Sequence, residues 1–146
     1  MNFDCYCIGN LFTPIITFFG FTITCYTLWR NNKERSISNV ISLKKELRKY
    51  DDVYFKLLPN SKDTYSVKST LEAKEYGRLI SYIGLFEVAY QMIVSGSLSK
   101  KEFKIYFLYR LNNIVSNDVV KNILLEDKAN WESLFTLIEL FGLNID

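Results

Sequence analysis

Histidine is absent from this 146-residue chain, proline occurs twice and cysteine three times, and no charged residue lies between positions 5 and 29. Without histidine the chain lacks the commonest general base, the commonest metal ligand and the near-neutral pH switch. That excludes histidine-based catalytic triads and most zinc sites. Cys5 and Cys7 form a Cys-x-Cys pair, a spacing that suits neither a zinc ribbon nor a thioredoxin-like motif, so no metal is expected. No phosphate-binding loop or dinucleotide fingerprint occurs, and no cofactor is expected. An extended basic field is lacking too. Residues 51–146 hold 11 basic and 13 acidic side chains, so nucleic acid is not an expected partner.

What is present divides the chain by charge. The whole is 23% charged and 49% apolar with a formal net charge of +2. That mean averages an uncharged run over residues 5–29, a net +5 over residues 30–49 and a net −2 over residues 51–146. Residues 8–28 read IGNLFTPIITFFGFTITCYTL, long enough for the roughly 20 residues that cross a hydrocarbon layer of about 30 Å. Five threonines dilute the run, but their hydroxyls can return to carbonyls one turn back. A single transmembrane helix is expected, a buried core helix being the alternative. A cleaved secretory signal fits less well, because a basic n-region and a small-residue cleavage site are both missing. Thr13 as N-cap with Pro14 at the first helical position marks a favourable start; otherwise Pro14 kinks a longer helix.

Orientation follows from Arg30, Lys33, Arg35, Lys44, Lys45, Arg48 and Lys49, offset only by Glu34 and Glu46. The positive-inside rule puts the C-terminal part in the cytoplasm and the N-terminus outside the inner membrane, with Tyr26 and Trp29 in the inner aromatic belt. As a topogenic signal this basic set needs no ligand. As a contact with anionic lipid headgroups it contributes about 1 kcal/mol per residue near the surface. Within the span, Asn10, Thr13, Thr17, Gly20, Thr24 and Thr27 recur at helical spacing and form one small or polar seam. Small residues let backbones approach and hydroxyls bond across the contact, so the seam suits self-association or a partner helix. A pore along it is disfavoured by the lack of any ionisable residue in the span. An oxidising exterior would permit interchain disulfides through Cys5 or Cys7, whereas Cys25 reads as a small apolar filler.

The rest reads as all-α: an anchor helix followed by a small antiparallel helical bundle. The expected organisation is an anchor at 1–30, a basic amphipathic juxtamembrane helix at 31–58 and a cytoplasmic helical domain at 66–142. Ile37, Val40, Leu43, Leu47, Tyr50, Tyr54 and Leu57 predict one helix over 36–58, ended by Pro59 and a loop. A Ser69-x-x-Glu72 capping box predicts a helix to Val94 with a core stripe of Leu79, Ile83, Phe86, Tyr90 and Ile93, stopped at Gly96. Ser99 with Glu102, and Leu98 with Phe103, combine a capping box and a hydrophobic staple at the start of a helix over 100–115. Its buried set is Phe103, Phe107, Leu111 and Ile114. A short helix capped near Asn117 runs to Leu125, and a last one over 128–141 presents Trp131, Leu134, Leu137, Ile138 and Phe141 before Gly142.

No enzymatic activity is expected. Glu87, within the apolar stretch Phe86 to Tyr90, is the best carboxylate for acid–base work, but a place on the helix flank, or a structural pair with an arginine such as Arg110 or Arg78, explains it more simply. Asp51-Asp52 and Glu126-Asp127 are adjacent carboxylates that point about 100° apart on a helix and form no metal clamp. Ser95-Gly96-Ser97 has no strand-to-helix context for a nucleophile elbow.

At Phe86-Glu87-x-Ala89, Gly96-x-Leu98 and Trp131-x-x-Leu134 the chain resembles a family of small bacterial membrane-anchored helical proteins of unknown function. Some of these are described as candidates for phage abortive infection. The resemblance implies an anchored cytoplasmic module and carries no catalytic residue over. The expected function is a single-pass inner-membrane protein with a cytoplasmic helical interaction domain, in contact with membrane lipids and with itself or a protein partner, in phage defence or stress. A membrane-perturbing effector, toxin-like or channel-forming, is the alternative.

Overall fold

A computed structural model describes residues 6–59 and 71–145, with side chains from Phe18 onward. The described residues contain helices and turns and no strand, so the protein is all-α. The helices are α1 (Tyr6–Arg48), α2 (Asp51–Lys56), α3 (Ala73–Val94), α4 (Lys100–Tyr106), α5 (Leu108–Val115), α6 (Asp118–Glu126) and α7 (Glu132–Leu140), with a 3-10 turn over Lys128–Trp131 before α7. The chain divides into two compact units, Met1–Arg35 and Ser36–Asp146.

The first unit is helical from Tyr6, so of the two readings of Pro14 the longer helix holds. Every described side chain in it, Cys25 included, is exposed, and Cys25 fills no core there. Among the described residues, no helix is long and apolar enough to cross a membrane. The uncharged residues with described side chains are 18–29, about 18 Å of helix at 1.5 Å per residue against a layer of about 30 Å. The rest of the expected span, residues 8–17, has side chains outside the described part, as do Cys5 and Cys7.

The second unit holds the core. Val40, Leu43 and Leu47 of α1 are buried at helical spacing, as are Val53 of α2 and Leu57. Leu79, Tyr82, Ile83, Phe86 and Ala89 form the buried face of α3. Phe103, Phe107, Leu111 and Ile114 are all buried, and so are Trp131, Leu134, Leu137 and Ile138. An aromatic chain runs through this core: Tyr50–Tyr82 (6.2 Å between centroids), Tyr82–Phe86 (5.7 Å), Phe86–Phe103 (6.4 Å) and a stacked Phe103–Phe141 pair at 4.9 Å. Each buried side chain of this size stabilises by about 1.5–3 kcal/mol, and aromatic pairs add about 0.5–1.5 kcal/mol.

The capping box at α4 is complete, with the Ser99 amide donating to Glu102 Oε2 (3.0 Å) and the Glu102 amide to Ser99 Oγ (3.2 Å). Leu98 and Phe103, the predicted staple, are both buried. Gly96 takes φ +72° and Gly142 φ +66°, left-handed stops that a side chain would strain. At α6 the cap is Asn117, whose Oδ1 accepts from the Val120 amide at 3.2 Å.

Four expectations about the elements are corrected. The helix expected over 36–58 is interrupted between Arg48 and Asp51, where the Lys49 and Tyr50 amides turn to the Glu46 and Leu47 carbonyls at 3.1 Å and the Lys49 carbonyl accepts from Arg78 Nη2 at 3.0 Å. Ile37, placed in its core stripe, is 49% exposed. The helix expected from Ser69 starts at Ala73 with an extended Glu72 as N-cap and no side-chain cap; Ser69 itself lies outside the described residues. The helix expected over 100–115 breaks at Phe107 (φ −132°), and Phe103, Phe107 and Leu111 are nevertheless all in the core.

Candidate functional site

The expected seam is described only at Gly20, Thr24 and Thr27, since the side chains of Asn10, Thr13 and Thr17 lie outside the described residues. Thr24 Oγ1 donates to the Gly20 carbonyl and Thr27 Oγ1 to the Ile23 carbonyl, each at 2.8 Å. Thr22 does the same toward Phe18. The hydroxyl protons are therefore satisfied within the helix, which lowers the cost of an apolar setting and leaves their lone pairs to accept. A Cβ placed on Gly20 meets nothing within 4 Å, so this point of the helix is open. Around it Phe18, Phe19, Phe21, Ile23, Tyr26, Leu28 and Trp29 are between 59% and 69% exposed.

The basic set is divided between the two units. Arg30, Lys33 and Arg35 belong to the first unit, where Arg30 pairs with Glu34 (2.9 Å) and Lys33 lies 5.6 Å from the Trp29 ring centroid. Lys44, Lys45, Arg48 and Lys49 belong to the second, where Lys49 pairs with Glu46 at 2.7 Å. Lys44 and Arg48 are one turn apart and so share a face, different from that of Lys45 and Lys49. Lys44 Nζ sits 4.0 Å from the Tyr106 ring centroid, a cation–π contact.

The strongest polar cluster of the second unit is one that sequence reasoning missed. Asp51 and Asp52, for which the sequence suggested no partner, each hold an arginine from another helix. Arg110 Nη2 donates to Asp51 Oδ1 at 2.8 Å, and Arg78 donates through Nη2 (2.6 Å) and Nε (3.1 Å) to Asp52. The Arg78 hydrogen bonds hold the Asp52 carboxyl below its usual value. Arg110 lies against the Tyr54 ring, 4.2 Å from Cζ to centroid, and its Nε donates to the Tyr109 hydroxyl at 3.1 Å. Burial alone would lower the Arg110 pKa, but Tyr109, Asp51 and Tyr82 more than offset that. Burial pushes the Tyr82 phenol up, with the Arg110 guanidinium opposing. Neither the Tyr82 hydroxyl nor Arg110 Nη1 makes a hydrogen bond of ordinary geometry among the described residues. The available signal was that Arg78 and Arg110 are the two arginines after Arg48 and that Asp51 and Asp52 stand side by side.

Glu87, the expected carboxylate candidate, is half-buried, and burial raises its pKa. The arginines it was expected to answer are committed to Asp51 and Asp52. Among the described residues no three metal-ligating side chains gather. Ser95 and Ser97 hydrogen-bond each other at 3.0 Å and the Met92 carbonyl at 3.1 Å, closing the turn after α3. No family model, no curated protein and no solved structure matches the chain.

Proposed function

We propose that this protein is a non-enzymatic, single-pass inner-membrane protein that self-associates through the seam of Asn10, Thr13, Thr17, Gly20, Thr24 and Thr27 and carries a cytoplasmic helical interaction domain. The supporting observation is the set of seven large apolar side chains exposed between Phe18 and Trp29 in a unit whose described residues bury none of them. Left in water, seven such groups forgo about 10 kcal/mol or more of burial, so they call for lipid or another helix around them. The threonine hydroxyls returned to Gly20 and Ile23 make the segment compatible with lipid, and residues 8–17 supply the remaining length of the crossing. Arg30, Lys33, Arg35 and the basic residues up to Lys49 then meet anionic headgroups on the cytoplasmic side. A role in phage defence or stress rests on the resemblance at Phe86-Glu87-x-Ala89, Gly96-x-Leu98 and Trp131-x-x-Leu134.

Crosslinking of the full chain in native membranes tests this reading. A homo-oligomer that Gly20→Ile abolishes is the expected result, because the added side chain fills the open point of the seam. A strictly monomeric chain refutes it. In the same cells, a loss of membrane potential that disappears on Gly20→Ile would identify a membrane-perturbing effector instead.

A further inference from the structure

One side of the helical unit gathers three cations, of which Lys44 and Arg48 have no ion-pair partner among the described residues. A cavity of about 210 Å³ is lined by Lys44, Leu47 and Arg48 of α1, by Tyr106 and Phe107, and by Tyr109 and Arg110 of α5. Its three ionisable cations face no lining carboxylate. Arg110 is already held, by Asp51 through Nη2 at 2.8 Å and by the Tyr109 hydroxyl through Nε at 3.1 Å, and its Nη1 is buried, so it lends the cavity wall positive charge rather than a free donor. Lys44 and Arg48 form no ion pair among the described residues. Being one turn apart, they repel each other, a small cost that an anion between them would convert into attraction. Tyr106 and Tyr109 bring phenol groups able to donate as well as accept, and the aromatic rings hold Lys44 and Arg110 in place at 4.0 and 5.9 Å from the Tyr106 and Tyr109 centroids. Guanidinium groups with a half-buried ammonium and phenolic donors are the chemistry that recognises phosphate oxygens.

We propose that this cavity binds a phosphate group, carried by a soluble phosphomonoester or by a lipid headgroup. A second depression, of about 280 Å³, shares Lys44 and Tyr106 as a common wall and is lined otherwise by the apolar Ile37, Val40, Ile41 and Ile105 together with Lys101 and Glu102. An acyl chain attached to the bound phosphate would have an apolar track there, which makes the lipid source a separate arm of the test. The inference does not rest on membrane anchoring, since both cavities lie within the helical unit.

The full chain in a non-ionic detergent is titrated by calorimetry with inorganic phosphate, with glycerol 3-phosphate and with a short-chain phosphatidic acid. Saturable binding of at least one probe is expected, weakened roughly tenfold in the Lys44→Gln, Arg48→Gln double variant, which removes two charge-assisted contacts. The double variant Lys100→Gln, Lys104→Gln removes the same net charge from exposed positions outside the cavity, and its affinity is expected to match the parent. Far-UV circular dichroism checks that both variants fold; Arg48, being exposed, can be changed singly if the pair does not. Phosphatidic acid binding roughly tenfold tighter than glycerol 3-phosphate assigns the site to a lipid headgroup, and comparable affinities assign it to a soluble ligand. No saturable binding of any of the three, or equal weakening in both double variants, overturns the proposal.

Discussion

Asp51 and Asp52 are neighbours of the same residue type in the first turn of α2, yet replacing them by asparagine should have unequal costs. Arg110, the partner of Asp51, has only 12% of its side chain exposed, against 40% for Asp51 itself. Arg78 and Asp52 are 40% and 57% exposed. Breaking a fully buried ion pair costs about 3–5 kcal/mol because a charge is stranded, whereas exposed pairs are worth about 0–1 kcal/mol. Solvent reaches the Asp51 end of its pair, so Asp51→Asn is expected to cost about 1–2 kcal/mol and Asp52→Asn less than about 1 kcal/mol. Loss of the favourable charge at the N-terminus of α2 is common to both and cancels in the comparison. Urea denaturation of the full chain in a fixed mild detergent, followed by far-UV circular dichroism, reads the difference. A double-mutant cycle with Arg110→Met isolates the coupling. If Asp52→Asn destabilises as much as Asp51→Asn, burial of the arginine is not what sets the strength of these pairs.

Phe103→Ala removes the side chain shared by the Phe86, Phe107 and Phe141 rings and is expected to cost about 3–5 kcal/mol in the same assay; a cost under about 1 kcal/mol would place Phe103 outside the core. Hydrogen bonds first from Ser36 and then from Ser99 hold the Glu102 carboxyl below its ordinary value. Their contribution is therefore present above the unfolded pKa and lost as pH falls through the folded one. Stability measured from about pH 6 to about pH 3 should fall less steeply in Glu102→Gln than in the parent, and identical acid limbs would refute the assignment.

What was legible in the sequence was local. Ser99 and Glu102 signalled their capping box because both partners lie within one turn, and Phe103, Phe107, Leu111 and Ile114 signalled burial by spacing alone. Ser36, whose Oγ donates to Glu102 Oε2 at 2.6 Å across 66 residues, left no such trace. Neither did the break after Arg48, where no glycine or proline stands. There the Lys49 carbonyl is met by Arg78 from 29 residues away. The basic residues were visible as a run, but a charge count cannot separate the Lys44 and Arg48 face from that of Lys45 and Lys49, nor add Arg110 to it from another helix. Ile37 continued the periodic stripe of Val40, Leu43 and Leu47, which is why it was placed in the core, yet it is exposed and lines a surface depression with Ile105 of α4.

Alkaline carbonate extraction of membranes containing the full chain bears most directly on the proposed anchoring. The parent should remain in the membrane fraction. Phe21→Lys with Ile23→Lys, each lysine costing about 2.5–3.5 kcal/mol at the centre of a span, should release the chain to the supernatant. Extraction of the parent itself into the supernatant would contradict the membrane assignment.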